Sequence, residues 1–229
     1  MKKYAYAPQS RATRTWDHSG HAARRFAPAG LDFVPVAGGP ANLVFGVVRR
    51  AIKNGPEHNV PDTVLRRLRP GQANSAARDW APGCYRSDVL LPPAAPDALY
   101  TPKALCERYE ADAFDALKDL VVMLTLRFPD ADRLHAIWEE VRAFAYEHFC
   151  LQRSLAVIAA MHLPSARGST NAPHVHLMIP ARKLQSWGFS DCIRPLASDQ
   201  GKAIVHEELA QWVEAFGPHS VLGGIAGGN

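Results

Sequence analysis

Three histidines lie close together in the second half of the chain: His162, then His174 and His176 separated by one valine. Three neutral imidazoles converging on one point make a facial nitrogen site for a divalent ion, with the other coordination positions left to water or a phosphate oxygen. An ion held that way polarises a phosphate and stabilises charge on a leaving oxygen. The ion is one of Mg, Mn, Zn, Co or Ni, and the sequence does not choose among them.

That chemistry needs elements that bring the rings together. His174-Val-His-Leu-Met-Ile179 reads as a strand closed by Pro180, and residues two apart on a strand project from the same face. Ser154 to Met161 is a compact apolar run that reads as a buried strand ending at His162. The segment between them is rich in Pro, Ser, Gly and Asn and reads as a loop, so the two strands should pair antiparallel and bring His162 onto the same face. A short strand is expected over Tyr85 to Leu91, ending at Pro92-Pro93. Residues 101–127 carry helical spacing (Leu105, Tyr109, Phe114, Leu117, Leu120, Val121, Leu124), and a second long helix follows Pro129-Asp130 as far as Phe149. A final helix spans about Gln200 to Phe216.

The chain of 229 residues, 47% apolar and 21% charged, has an ordinary globular balance. Three regions are expected. Residues 1–80 form a basic, poorly patterned N-terminal region, residues 81–216 the patterned domain, and residues 217–229 a flexible Gly-rich tail. Residues 1–80 hold 13 Lys/Arg against 5 Asp/Glu, and the excess suits either a polyanionic partner or a solvated tail. The longest apolar runs are too short to cross a bilayer, and no apolar signal core follows Met1-Lys2-Lys3. Cys84, Cys106, Cys150 and Cys192 form no C-x-x-C pair and read as reduced thiols, so a cytoplasmic location is expected. A two-histidine phosphodiesterase would need two H-x-[ST] motifs, and the sequence has none.

The run from His162 through Asn171-Ala-Pro173-His174-Val-His176-Leu-Met178 to Arg182 and Trp187-Gly188-Phe189 resembles the MobA/MobL relaxases. In that family a strand ending in histidine leads through a short loop to N-P-H-x-H, followed by an arginine and a G-F pair. Asp88-Val-Leu-Leu-Pro-Pro-Ala-Ala-Pro96 resembles its E-I-L-L-P-x-x-A-P segment, and the likeness covers about residues 84–216. Two departures stand out: Ala172 is inserted between Asn171 and Pro173, and the Gly and Lys usual after G-F are missing. The resemblance implies an α+β fold, with a central antiparallel sheet carrying the three-histidine site and helices flanking it. It also implies a plasmid mobilisation activity: metal-dependent nicking of single-stranded DNA at an origin of transfer, through a tyrosine that becomes a phosphotyrosine. The implied partners are plasmid DNA in single-stranded form and other mobilisation proteins.

The family carries its nucleophile near the N-terminus in an A-A-A-Y-R-like segment, which this chain lacks. Tyr4 and Tyr6 have the right chain order and are the candidates; Tyr85-Arg86-Ser87 resembles the motif locally but abuts the L-L-P stretch. A tyrosine near pKa 10 needs the metal or a base to activate it. If neither Tyr4 nor Tyr6 serves, the chain is a degenerate or truncated copy that binds metal and single-stranded DNA without nicking. Arg182 and Lys183 are candidates for phosphate contacts or solvated charges, and Trp187 for base stacking or packing. Arg66-Arg67-Leu-Arg69 is either a nonspecific DNA contact or a solvated basic turn. The acidic helix residues Glu139, Glu140, Glu147, Glu207 and Glu208 read as solvent faces, with one of them an alternative candidate to orient an imidazole.

Overall fold

In a computed structural model, residues 33–36, 42–51, 57–70 and 79–226 are described. A six-stranded antiparallel sheet runs through them in the order β1-β2-β4-β6-β5-β3. Its strands are β1 (Phe33–Pro35), β2 (Leu43–Arg49), β3 (Arg86–Leu90), β4 (Asp119–Arg127), β5 (Val157–His162) and β6 (His174–Pro180). Helices α1 (Val60–Leu68) and α2 (Pro102–Ala111) cover one face, together with a hairpin of β7 (Arg182–Gln185) and β8 (Gly188–Cys192). Helices α3 (Leu134–Ala145), α4 (Gly201–Phe216) and α5 (Gly223–Ala226) cover the other. This is the expected α+β architecture of a central antiparallel sheet flanked by helices.

A sheet covered on both faces needs apolar side chains on both sides of its central strands. β4 shows this in Leu-Val-Val-Met-Leu-Thr-Leu. Val122, Leu124 and Leu126 pack with Val141, Phe144 and Leu209, while Val121 and Met123 pack with Val64, Leu105 and Tyr109. The helix expected over residues 101–127 is therefore corrected: α2 stops at Ala111, and the second half is a central strand. A run apolar at every position satisfies helical spacing as well as strand spacing, and here its valines and two-sided burial favour the strand.

The strand expected over Tyr85 to Leu91, the β5–β6 pair, and the helix from Gln200 to Phe216 are all present, and the second long helix continues past α3 as a π-helical turn to Leu151. Two regional expectations change. Segments inside the poorly patterned region 1–80 supply β1, β2 and α1, with Phe45, Val64 and Leu68 fully buried. Within the Gly-rich tail, Leu222 and Ile225 pack into the core beside Leu209. Among the described residues no helix is long and apolar enough to cross a membrane.

Candidate metal centre

The register of the middle strands places the histidines. His162 ends β5 and pairs with His174, which begins β6; two residues on, His176 lies between Ala160 of β5 and Thr125 of β4. Directly opposed residues of an antiparallel pair share a face, so all three rings rise together on the α1 side at one end of the sheet. They are half-buried, with ring centroids 4.7–5.0 Å apart. One ligand nitrogen from each lies within 4.8 Å of the other two. Bonds near 2.1 Å require nitrogens about 3.0–3.4 Å apart, so small rotations about the side chains close the set.

The hydrogen bonds determine which nitrogen two of the rings would present. A carbonyl only accepts, so the ring nitrogen against it carries the proton. His162 Nε2 donates to the Arg67 carbonyl at 2.6 Å, and His174 Nδ1 donates to the Ala172 carbonyl at 3.0 Å. His176 Nδ1 lies 2.8 Å from Thr125 Oγ1. His162 thus offers Nδ1 and His174 offers Nε2, and His176 offers Nε2 when its Nδ1–H donates to the Thr125 hydroxyl. Outer partners of this kind fix the tautomer and orientation of a metal-bound imidazole. The Arg67 carbonyl belongs to the last turn of α1, where helix carbonyls lack intrahelical partners. Ala172, the residue inserted relative to the MobA/MobL pattern, supplies the carbonyl that orients His174. The outer partners seen here are two main-chain carbonyls and a hydroxyl. Glu139 pairs with Arg142, Glu208 with Arg153, and Glu140 accepts from Trp212, Ser220 and Val221.

Burial pushes the pKa of His174 below the ordinary imidazole value, with the Arg127 charge adding to the effect. His176 is held well below that value, first by burial and then by His162, His174, Arg67 and Arg127. Low pKa values keep both rings neutral, the form that binds metal.

The other sequence candidates fall elsewhere. Tyr4 and Tyr6 lie outside the described residues. Arg182, expected at a phosphate, is 5% exposed. Its guanidinium donates to the carbonyls of Asp112, Phe189 and Ser190 and lies over the rings of Tyr109, Phe114 and Phe189. That geometry ties the β7–β8 hairpin to α2 and corrects the expectation of a phosphate contact. Lys183 is exposed on β7, and Trp187 is 68% exposed at the hairpin turn. The hairpin follows the far end of β6, about 20 Å along the strand from His174. The fold therefore does not bring Arg182, Lys183 or Trp187 to the histidines. Arg67, read as a DNA contact or a solvated turn, is buried in α1.

Two neighbours of the histidines escaped the sequence reading, and a third, Tyr85, was set aside there. Thr125 and Arg127 sit on the histidine face of β4 but fell within a segment read as helix. Alternation through Thr125-Leu-Arg127 was the available signal. Tyr85 comes beside the end of β5, where its N–H donates to the Met161 carbonyl at 3.0 Å, and it is 52% exposed. Of the described tyrosines it is the one that sheet register puts next to a cluster histidine.

Fold and site together define an α+β domain, a central antiparallel sheet flanked by helices, with a three-histidine cluster that could hold a metal ion. No protein-family model matches the chain. No curated protein matches it either. A solved structure concerned with the molecular basis of vancomycin resistance transfer in Staphylococcus aureus is similar to it, with a TM-score of 0.55 and 17% identity over 78% of this chain and 94% of that chain. At that identity the likeness is one of fold.

Proposed function

We propose that this protein is a plasmid mobilisation relaxase that acts on a phosphodiester of single-stranded DNA at an origin of transfer. The observation that carries this reading is the convergence of His162, His174 and His176 on one face of the central sheet, each hydrogen-bonded to an outer partner. A divalent ion held there supplies Lewis acidity toward phosphate oxygens. The chain's own part is to hold three neutral imidazoles in a fixed orientation and to offer a tyrosine hydroxyl. Attack of that oxygen on phosphorus forms a phosphotyrosine at the DNA 5′ end and breaks the bond to the 3′ oxygen, which leaves with a proton. Tyr4 and Tyr6 are the nucleophile candidates by chain order, and Tyr85 is the candidate by position in the sheet. The MobA/MobL motif residues and the fold similarity to a structure concerned with resistance transfer support the reading.

The absence of the family's A-A-A-Y-R-like segment favours one second reading, a protein that binds metal and single-stranded DNA without cutting. The test is to incubate the full chain and Mn²⁺ with single-stranded oligonucleotides tiling the DNA that flanks its coding sequence. A covalent adduct that survives denaturing electrophoresis is expected, and it should disappear in one of Tyr4→Phe, Tyr6→Phe or Tyr85→Phe. No adduct with any oligonucleotide, alongside salt-sensitive binding, selects the second reading. No metal uptake and no DNA binding rules out both.

A further inference from the structure

The face that carries the histidines also carries a cation that the described protein leaves without a counter-charge. Arg127 ends β4 and pairs with His174, two residues beyond the Thr125 that holds His176. It therefore shares the face of the three rings, with its Cβ about 5 Å from that of His174. The side chain is half-buried. Its main-chain N–H donates to the Asn42 carbonyl, but among the described residues no carboxylate, hydroxyl or carbonyl accepts from its guanidinium. Other arginines of the domain are matched: Arg142 with Asp88 and Glu139, Arg153 with Glu208, Arg108 with Asp112, and Arg182 with three carbonyls.

A partly desolvated guanidinium beside three metal-ligating nitrogens is a poor arrangement for a cation alone, because ion and arginine repel. An anion that touches both removes the conflict. A phosphodiester has two non-bridging oxygens, and the planar fork of arginine suits one of them. Resting on the metal site proposed above, we propose that Arg127 is the phosphate-binding residue of the histidine centre. It would donate to one non-bridging oxygen of a single-stranded DNA phosphodiester while the other faces the metal.

This predicts opposite effects of one substitution on two ligands. The full-length wild type, Arg127→Gln and Arg127→Lys are titrated with Co²⁺ alone. Each Co²⁺-loaded protein is then titrated with a fluorescent single-stranded oligodeoxynucleotide at several salt concentrations. Arg127→Gln should bind Co²⁺ as well as or better than wild type, while DNA affinity falls about tenfold and the log K against log salt slope flattens by about 0.7. Arg127→Lys should keep the slope and lose part of the affinity, because the charge remains without the fork. It also keeps the test open if Arg127→Gln melts early. Unchanged DNA affinity and slope in Co²⁺-loaded Arg127→Gln overturns the assignment, as does loss of Co²⁺ binding in both variants, which would make Arg127 a structural support. Failure of wild type to take up Co²⁺ instead refutes the metal reading itself, so the two failures are distinguishable.

Discussion

Thr125 is the sharpest point at which to perturb the centre without touching a ligand. Its hydroxyl is 2.8 Å from His176 Nδ1, and the side chain is buried in a strand packed on both faces. Thr125→Val keeps the β-branched shape and removes only the hydrogen bond. An outer partner of a metal-bound imidazole contributes about 10–100-fold in affinity, so Co²⁺ or Zn²⁺ binding should weaken by about 1.4–2.7 kcal/mol. The apo-protein gains a methyl in an apolar setting and leaves one ring nitrogen without its partner. These effects oppose each other, and its melting temperature should move by only a few degrees. Thr125→Ser restores the oxygen and should recover most of the affinity. Competition titration against a chromophoric chelator reads the change directly. Equal metal affinity in Thr125→Val and wild type, with His176→Ala abolishing binding, would refute the orienting role. A parallel collapse of apo stability would show that Thr125 serves the fold instead.

Further outcomes follow from other contacts. His148, His174 and His176 are all depressed below the ordinary imidazole value, mainly by burial. The unfolded chain then binds more protons between their folded values and about pH 6.5. The stability these groups confer is intact above pH 6.5 and is lost as pH falls through their folded pKa values, which urea titrations of the metal-free protein at pH 7.5 and pH 5.5 will read. Arg182→Ala should destabilise the domain by about 2–4 kcal/mol, because the carbonyls of Asp112, Phe189 and Ser190 lose their donor. The salt slope of DNA binding should not change in that variant, and a slope change would return Arg182 to the DNA surface. Phe144→Ala should cost about 3–5 kcal/mol in urea unfolding, since the ring is fully buried between Phe149 and Trp212.

The histidine cluster was legible because its geometry is local. A period-two pair and a strand-ending histidine joined by a loop specify their own register, and His162 does pair with His174. Thr125 and Arg127 were not legible because they reach the site through a central strand whose apolar run fits two periodicities. The partner of His162 was hidden for a different reason: it is a main-chain carbonyl, and any residue at position 67 would provide one. Arg182 misled because its type suits phosphate while its position after β6 lies under a hairpin. In residues 1–80, Ala41 to Ile52 reads as either a helix or a strand, and the long-range pairing of β2 with β4 decides for the strand, as packing on the sheet specifies α1.

The bond from His162 to the end of α1 joins two equilibria that are otherwise separate. If loading the centre requires His162 to keep that bond, an ion that binds only the docked arrangement stabilises it, by about 2.7 kcal/mol at a hundredfold excess over its dissociation constant. Amide exchange in residues 60–68 would then slow about a hundredfold on metal addition, although none of those residues is a ligand. Helix α1 would become a reporter of metal occupancy, and substitutions in it far from the rings would present as metal-affinity mutants.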